Sequence, residues 1–281
     1  MMSEDPRPRL AGVCGAPIAQ SKSPLLFKHW FQVHGIQGHY VPMLIQPEDF
    51  DYVARALPKA GYRGINVTLP HKGSALGLAD ESSPAAKAIG AANTLTFRED
   101  GRIHADNTDG FGFIENLKAG APEWDPAKPV VMLGAGGAAR AGIFVLLEAG
   151  VPEIRLTNRT REKADALTDH FGARVQVYEW SDRSEILSGA GAIINSTSLG
   201  MIGKPALDIS LNSAKSGTVV TDMVYNPLIT PLLAQAKQKA LPIVDGLGML
   251  LHQARPGFRR WFGQDPKVTP ALRDACLGSG A

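Results

Sequence analysis

Val130-Val131-Met132-Leu133-Gly134-Ala135-Gly136-Gly137-Ala138-Ala139-Arg140 decides the architecture of this 281-residue chain. Four apolar residues predict a buried strand, and an apolar run to Ala149 predicts a helix beyond the glycines. Strand, glycine-rich turn and helix in that order form the phosphate-binding crossover of a parallel sheet. Gly134 permits the tight turn, and Gly136 lets the backbone approach a pyrophosphate. Ala139 keeps the third position small, so that helix and strand can pack closely. Gly134, Ala135, Gly136, Gly137 and Ala138 are therefore expected to face a dinucleotide.

The next strand, expected at 153–157, bears on which dinucleotide. A site for NAD places Asp or Glu on the ribose hydroxyls about twenty residues after the glycines. Here the strand end reads Asn158-Arg159-Thr160-Arg161, with Lys163 close behind, and no acid stands there. The guanidinium of Arg159 is a planar fork that suits the 2′-phosphate of NADP. Arg161 and Lys163 are either further phosphate contacts or ordinary helix-surface charges. Further strands are expected at 191–195, 218–222 and 242–244. The polar turns Asn195-Ser196-Thr197-Ser198 and Met223-Val224-Tyr225-Asn226-Pro227 follow two of them.

Before residue 110 the chain alternates short apolar strands with amphipathic helices, the pattern of a mostly parallel sheet. Strands are expected at 10–14, 39–44, 64–69 and 94–97, and helices at 24–34, 47–59 and 73–80. Glu99-Asp100-Gly101-Arg102 reads as a hairpin turn that returns the chain through 103–105. A helix is expected at 110–118. Residues 121–129 hold three prolines and read as a connection. Helical patterns recur at 246–262 and after Pro270.

Polar residues gather at the ends of the early strands. Asn66-Val67-Thr68-Leu69-Pro70-His71-Lys72 runs a strand into a proline, which has no N–H for a ladder. Lys72 follows at the start of a helix, and Asp106-Asn107-Thr108-Asp109 comes later. An ammonium can donate to a carbonyl or alkoxide oxygen, and a carboxylate can orient it. Ser21-Lys22-Ser23-Pro24 sets two hydroxyls ahead of a helix start, a combination suited to a carboxylate.

These blocks, with Gly90-Ala91-Ala92-Asn93-Thr94-Leu95 and Asp245-Gly246-Leu247-Gly248-Met249-Leu250-Leu251-His252-Gln253, occur in an order that resembles the shikimate dehydrogenase family. The resemblance spans about Leu10 to Leu272. It implies NADPH-dependent reduction of 3-dehydroshikimate to shikimate, with quinate/shikimate dehydrogenase of catabolism as an alternative, or a silent NADP-binding regulator. It implies an α/β fold of two domains: a substrate-binding catalytic domain at 1–108 completed by 246–281, and a Rossmann-type NADP-binding domain at 109–245. Lys72 and Asp109 would be catalytic, Lys72 as acid/base or as electrostatic stabiliser. Ser21, Ser23, Asn66, Thr68, Asn93, Tyr225 and Gln253 would hold the substrate. Beyond the glycine turn, the cofactor would meet Asn158, Arg159, Thr160, Lys163, Thr197, Val224 and Gly246. Ala92 stands where valine is commoner, a change of packing. Ser23 is not threonine, the change that would favour quinate.

Composition narrows the function classes. Hydrophobic residues make up 44% of the chain, enough for a packed core, and net charge is +2 with both signs scattered. No basic run suggests nucleic acid or an anionic membrane. Residues 1–9 are polar and read as a loose tail, without the apolar core of a signal peptide. Two cysteines, Cys14 and Cys276, set no disulfide framework, and the histidines show no metal-ligand spacing. A cytoplasmic enzyme without a metal, monomeric or homodimeric, is the expectation.

Overall fold

The computed structural model describes residues 8–278; the tail expected at 1–9 lies outside the described residues up to residue 7. Two compact units form. One is Asp109–His252, and the other joins the residues up to Thr108 to those from Gln253 onward.

The first unit holds a six-stranded sheet in the order β2-β1-β3-β5-β6-β4. The strands are β1 (Leu10–Gly15), β2 (His39–Leu44), β3 (Tyr62–Val67), β4 (Glu81–Ser82), β5 (Thr94–Phe97) and β6 (Ile103–Asp106). Helices α1 (Ser23–Val33), α2 (Phe50–Ala56), α3 (Lys72–Leu78) and α4 (Pro84–Ile89) connect them. β1 pairs in parallel with β2 and β3, whereas β5 runs antiparallel to both β3 and β6. The hairpin turn forms as its sequence predicts: Gly101 takes φ +84°, and Arg98 N–H donates to the Arg102 carbonyl at 2.9 Å. The helix expected at 47–59 is shorter, since 3₁₀ turns at Pro47–Asp49 and Leu57–Ala60 flank α2. Strand β4 and helix α4 are additions to the expected elements. Two residues carry no periodicity, and α4 is marked only by its Ser83 cap and Pro84.

One face of this sheet buries Ile65, Val67, Leu95 and Phe97 with Phe50 and Leu78. Phe27 and Trp30 pack with Phe258 and Trp261 from helix α9 (Leu247–Phe262), and Phe27 stacks on Tyr40 at 3.7 Å between ring centres. Gly64 is a consequence of that packing. A Cβ there would lie 2.0 Å from the indole nitrogen of Trp261. Helix α10 (Pro270–Leu277) follows and is capped by Thr269.

The second unit is an all-parallel sheet in the order β12-β11-β10-β7-β8-β9. Its strands are β7 (Val130–Leu133), β8 (Ile154–Thr157), β9 (Val175–Tyr178), β10 (Ala192–Asn195), β11 (Val219–Asp222) and β12 (Ile243–Val244). Counted from β7, that is the doubly wound order 3-2-1-4-5-6. Every residue of β7 is fully buried, as expected for a central parallel strand covered on both faces. On one face Met132, Ile154 and Ile194 meet Phe113 and Leu117 of α5 (Asp109–Gly120) and Ile143 and Leu146 of α6 (Gly137–Glu148). On the other, Val131, Ile193 and Val220 meet Leu232 and Leu233 of α8 (Pro231–Gln238). Helix α7 (Arg161–Phe171) links β8 to β9.

The chain leaves the second unit inside α9, between His252 and Gln253, rather than ahead of it at 246. The first turn of α9 lies against Asn116 of α5, so closely that a Cβ on Gly248 would overlap its side-chain oxygen. Phe258 and Trp261, further along the same helix, belong to the aromatic cluster of the first unit.

Candidate functional site

In the first unit, chain direction explains which residues share an edge. β1 and β3 end there, so Ser21, Ser23, Thr68 and Lys72 follow their carboxyl ends. β5 runs the opposite way and begins there, with Asn93 just ahead and Thr94 in register with Asn66. β6 returns to the edge and leads into Asn107, Thr108 and Asp109.

These side chains form one continuous hydrogen-bonded line. The Tyr40 hydroxyl meets the Ser23 hydroxyl and donates to Asn66 Oδ1 at 2.8 Å. Asn66 Nδ2 donates to Thr94 Oγ1 at 3.1 Å and to the Asn93 carbonyl at 3.3 Å. Thr94 Oγ1 donates to Asn93 Oδ1 at 2.9 Å, which also accepts from Thr108 N–H at 2.9 Å and Thr108 Oγ1 at 3.1 Å. Asn93 Nδ2 donates to Gln253 Oε1 at 3.4 Å. Burial of Tyr40 pushes its phenol well above its ordinary pKa, so it is a neutral donor. Asn66 thus uses both amide protons within the protein and keeps acceptor capacity.

Each candidate group rests on a support. Ser21 Oγ accepts from Ser23 N–H at 3.3 Å, and Ser23 is buried at the first position of α1. Lys72 opens α3, and its carbonyl accepts from Ala92 N–H at 2.8 Å. The preceding His71 is buried, bonded to the Ile45 carbonyl at 2.8 Å and stacked on Phe50, which fixes the start of α3. Ahead of Asp109, the Asp106 carboxylate accepts from Asn107 N–H at 2.8 Å and pairs with Arg260 at 2.6 Å. Asp109 is the first residue of α5.

The second unit opens a cleft of about 300 Å³ at the carboxyl ends of its strands, between the turns after β7 and β10. This is the topological switch point, where doubly wound sheets bind nucleotides. Gly134, Ala135 and Gly136 form one wall, with Gly134 at φ +106°. A Cβ at Gly134 would strike Ser196 and Thr197 of the opposite turn, whereas Gly136 and Gly137 have open space where a Cβ would be. Gly137 and Ala138 begin α6, whose first N–H groups suit an anion. Asn158, Arg159, Thr160 and Lys163 line the cleft, and no carboxylate does. That donor set fits a dinucleotide bearing a 2′-phosphate.

Several expectations sharpen here. Asn158 holds the backbone, since its Oδ1 accepts from Ala135 N–H at 3.2 Å and its Nδ2 donates to the Thr160 carbonyl at 2.7 Å. Of the two cations left open by the sequence, Lys163 lines the cleft; Arg161 instead pairs with Glu179 and, at 3.6 Å, with Asp165. Gly246 packs under Asp222, Met223 and Val224, where a Cβ would lie within 2.8 Å of three carbonyl oxygens. Neither Val224 nor Gly246 lines this cleft. Tyr225 is half-buried, and burial raises its pKa.

No sequence motif pointed to Asp222. Its buried carboxylate accepts from Asn195 Nδ2 at 2.9 Å, Val224 N–H at 2.9 Å and Thr230 Oγ1 at 2.7 Å. Burial raises its pKa against those three bonds. Asn195 in turn accepts from Thr197 N–H at 3.0 Å and Thr197 Oγ1 at 2.7 Å. One carboxylate so ties the turns after β10 and β11 together. Trp180, just after the unexpected strand β9, also lines the cleft. Among the described residues no cluster of His, Cys, Asp or Glu could hold a metal ion, and no helix is long and apolar enough to cross a membrane.

Comparison with known proteins matches this layout. The shikimate dehydrogenase substrate binding domain matches residues 13–95, shikimate / quinate 5-dehydrogenase residues 121–248, and the shikimate 5′-dehydrogenase C-terminal domain residues 246–275. A shikimate dehydrogenase (NADP(+)) of Roseobacter denitrificans is 58% identical over 96% of this chain and 98% of its own. The crystal structure of shikimate 5-dehydrogenase from Thermus thermophilus in complex with NADP(H) and shikimate superposes with TM-score 0.85 at 34% identity, covering 96% of this chain and 99% of that one. Quinate dehydrogenase from Corynebacterium glutamicum in complex with NAD superposes with TM-score 0.89 at 27% identity, covering 96% and 98%. With 96% of its length matched by a relative at 58% identity and both sheets in place, this chain belongs to the shikimate dehydrogenase family.

Proposed function

We propose that this chain interconverts 3-dehydroshikimate and shikimate with NADP(H), on the way to the aromatic amino acids, with Lys72 and Asp109 as its catalytic residues. The line of buried amide and hydroxyl groups from Ser23 to Gln253 carries the reading. A ring with several hydroxyls and a carboxylate needs donors and acceptors fixed in direction, and this edge supplies both. Bound NADPH supplies the hydride.

Lys72 donates the proton to the oxygen that gains negative charge, and Asp109 orients the ammonium. Ser21 and Ser23 donate to the carboxylate, with Tyr225 beside it. Asn66, Thr68, Asn93 and Gln253 hold the ring hydroxyls. The turn at Gly134–Ala138 and the start of α6 receive the pyrophosphate, Arg159, Thr160 and Lys163 the 2′-phosphate. Thr197, Val224 and Gly246 serve the nicotinamide end. We place the enzyme in the cytoplasm, as a monomer or homodimer with no nucleic-acid or membrane partner; the last point is supported by its scattered charge and net charge of +2.

Quinate is the second substrate to weigh, given the likeness to a quinate dehydrogenase. Ser23, rather than threonine, favours shikimate. Purified protein is assayed with shikimate and NADP⁺, then with quinate or NAD⁺ in place of either. Faster turnover of quinate, or equal use of NAD⁺, would sink the assignment.

A further inference from the structure

We infer that Trp180 is the aromatic wall against which the adenine of the dinucleotide stacks. The inference rests on the cleft of the second unit being the cofactor site. Trp180 lines that cleft together with Asn158, Arg159, Thr160 and Lys163, which lie at the end of β8. In a doubly wound sheet the adenosine half of a dinucleotide lies over this side, past the second strand and toward the third. β9 is the third strand counted from β7, and Trp180 stands two residues beyond its end.

The indole is held in place before any ligand arrives. Arg183 sits 5.2 Å from its ring centre, a cation–π distance. The same guanidinium donates to the Trp180 carbonyl at 2.8 Å and pairs with Asp208 at 2.7 Å. On the other side of Trp180 in sequence, Glu179 is bound by Arg161 from the first residue of α7. Both neighbours of the indole therefore carry an ion pair, although Trp180 follows a strand at the sheet edge, and the cation–π contact and the Arg183 bond to the Trp180 carbonyl bear on the ring directly. A rigid, half-buried indole beside Arg159 offers a purine a flat surface, at little cost in ordering.

Arg159 reads the phosphate and Trp180 the base, so a ligand with both but no nicotinamide isolates this half. The probe is 2′,5′-ADP, measured by calorimetry and by quenching of indole fluorescence. Wild-type protein is expected to bind it with quenching. Trp180→Leu should bind it roughly tenfold to a hundredfold more weakly, the range for loss of a base–aromatic stack. Trp180→Phe should stay within about threefold of wild type and lose most of the quenching. Far-ultraviolet circular dichroism and shikimate binding should be the same in all three proteins. Equal affinity of the Leu and Phe variants would overturn the stacking role and leave the cofactor site where it is. Failure of the wild-type protein to bind 2′,5′-ADP would overturn the placement of the cofactor, and the inference with it.

Discussion

At the polar edge of the mixed sheet the donors and acceptors are buried side chains: Ser23, Tyr40, Asn66, Asn93, Thr94 and Thr108, each fixed by another. At the cleft of the parallel sheet they are the backbone of the glycine turn, the start of α6 and the exposed cations Arg159 and Lys163. The contrast follows the ligands proposed for the two sites. A phosphate is a diffuse anion, satisfied by any converging N–H groups and positive charge. A triol must be told from its isomers, which requires a fixed direction for every hydrogen bond. Such a site rejects analogues that leave its buried groups unpaired. Discrimination should therefore be sensitive to small changes in the first unit, and affinity to changes of charge in the second.

The largest test of that division is Lys72→Ala. Loss of a positioned proton donor should lower turnover by about 10²–10⁴-fold. The Michaelis constant for shikimate should move far less, because the amide and hydroxyl groups remain. Steady-state kinetics in both directions decide it; a fall of less than tenfold would remove Lys72 from the chemistry.

Two substitutions should then separate the units by ligand. Arg159→Ala should weaken NADP⁺ binding by about 1.5–3 kcal/mol, roughly tenfold to a hundredfold, and leave NAD⁺ almost unchanged. Equal losses with both cofactors would mean that Arg159 supports the turn. Ser23→Ala should raise the Michaelis constant for shikimate by a similar factor, since a contact remote from the reacting carbon binds ground state and transition state alike. Its NADP⁺ affinity should stay constant. Lower turnover at an unchanged Michaelis constant would put Ser23 at the reacting end of the ring instead.

Legibility in the sequence divides along the same line. The glycine turn and Asn158-Arg159-Thr160 are local, so strand, turn and helix can be read from one stretch. The first unit's motifs are local too, and Asn66, Asn93 and Gln253 stand within them. Their partners do not. Tyr40 meets Asn66 only because β1 lies between β2 and β3, a pairing that no short pattern encodes. Asp222 resembles any acid at a strand end until its three donors are seen. Trp180 is hidden because β9 has four residues and only one, Val175, is buried. Arg161 shows the same limit from the other direction, since its partner Glu179 lies beyond the helix that follows it.

That last residue gives the smallest expected effect and the finest test. Arg159 and Arg161 stand two positions apart, carry the same charge and look interchangeable in the sequence. Arg159 lines the cleft, while Arg161 is paired with Glu179 and Asp165. Arg161 and both of its partners are about half exposed, so the pairs should contribute only about 0–1 kcal/mol. Arg161→Ala should therefore change NADP⁺ affinity by less than about fivefold, through a slightly looser Glu179–Trp180 segment and a weaker positive field. The small loss should shrink further at high salt, where exposed charges are screened. Calorimetric titration of NADP⁺ at low and high ionic strength reads both effects. A loss as large as that of Arg159→Ala, confined to NADP⁺, would mean that Arg161 leaves its carboxylates for the phosphate, and the two arginines would then share the reading of the cofactor.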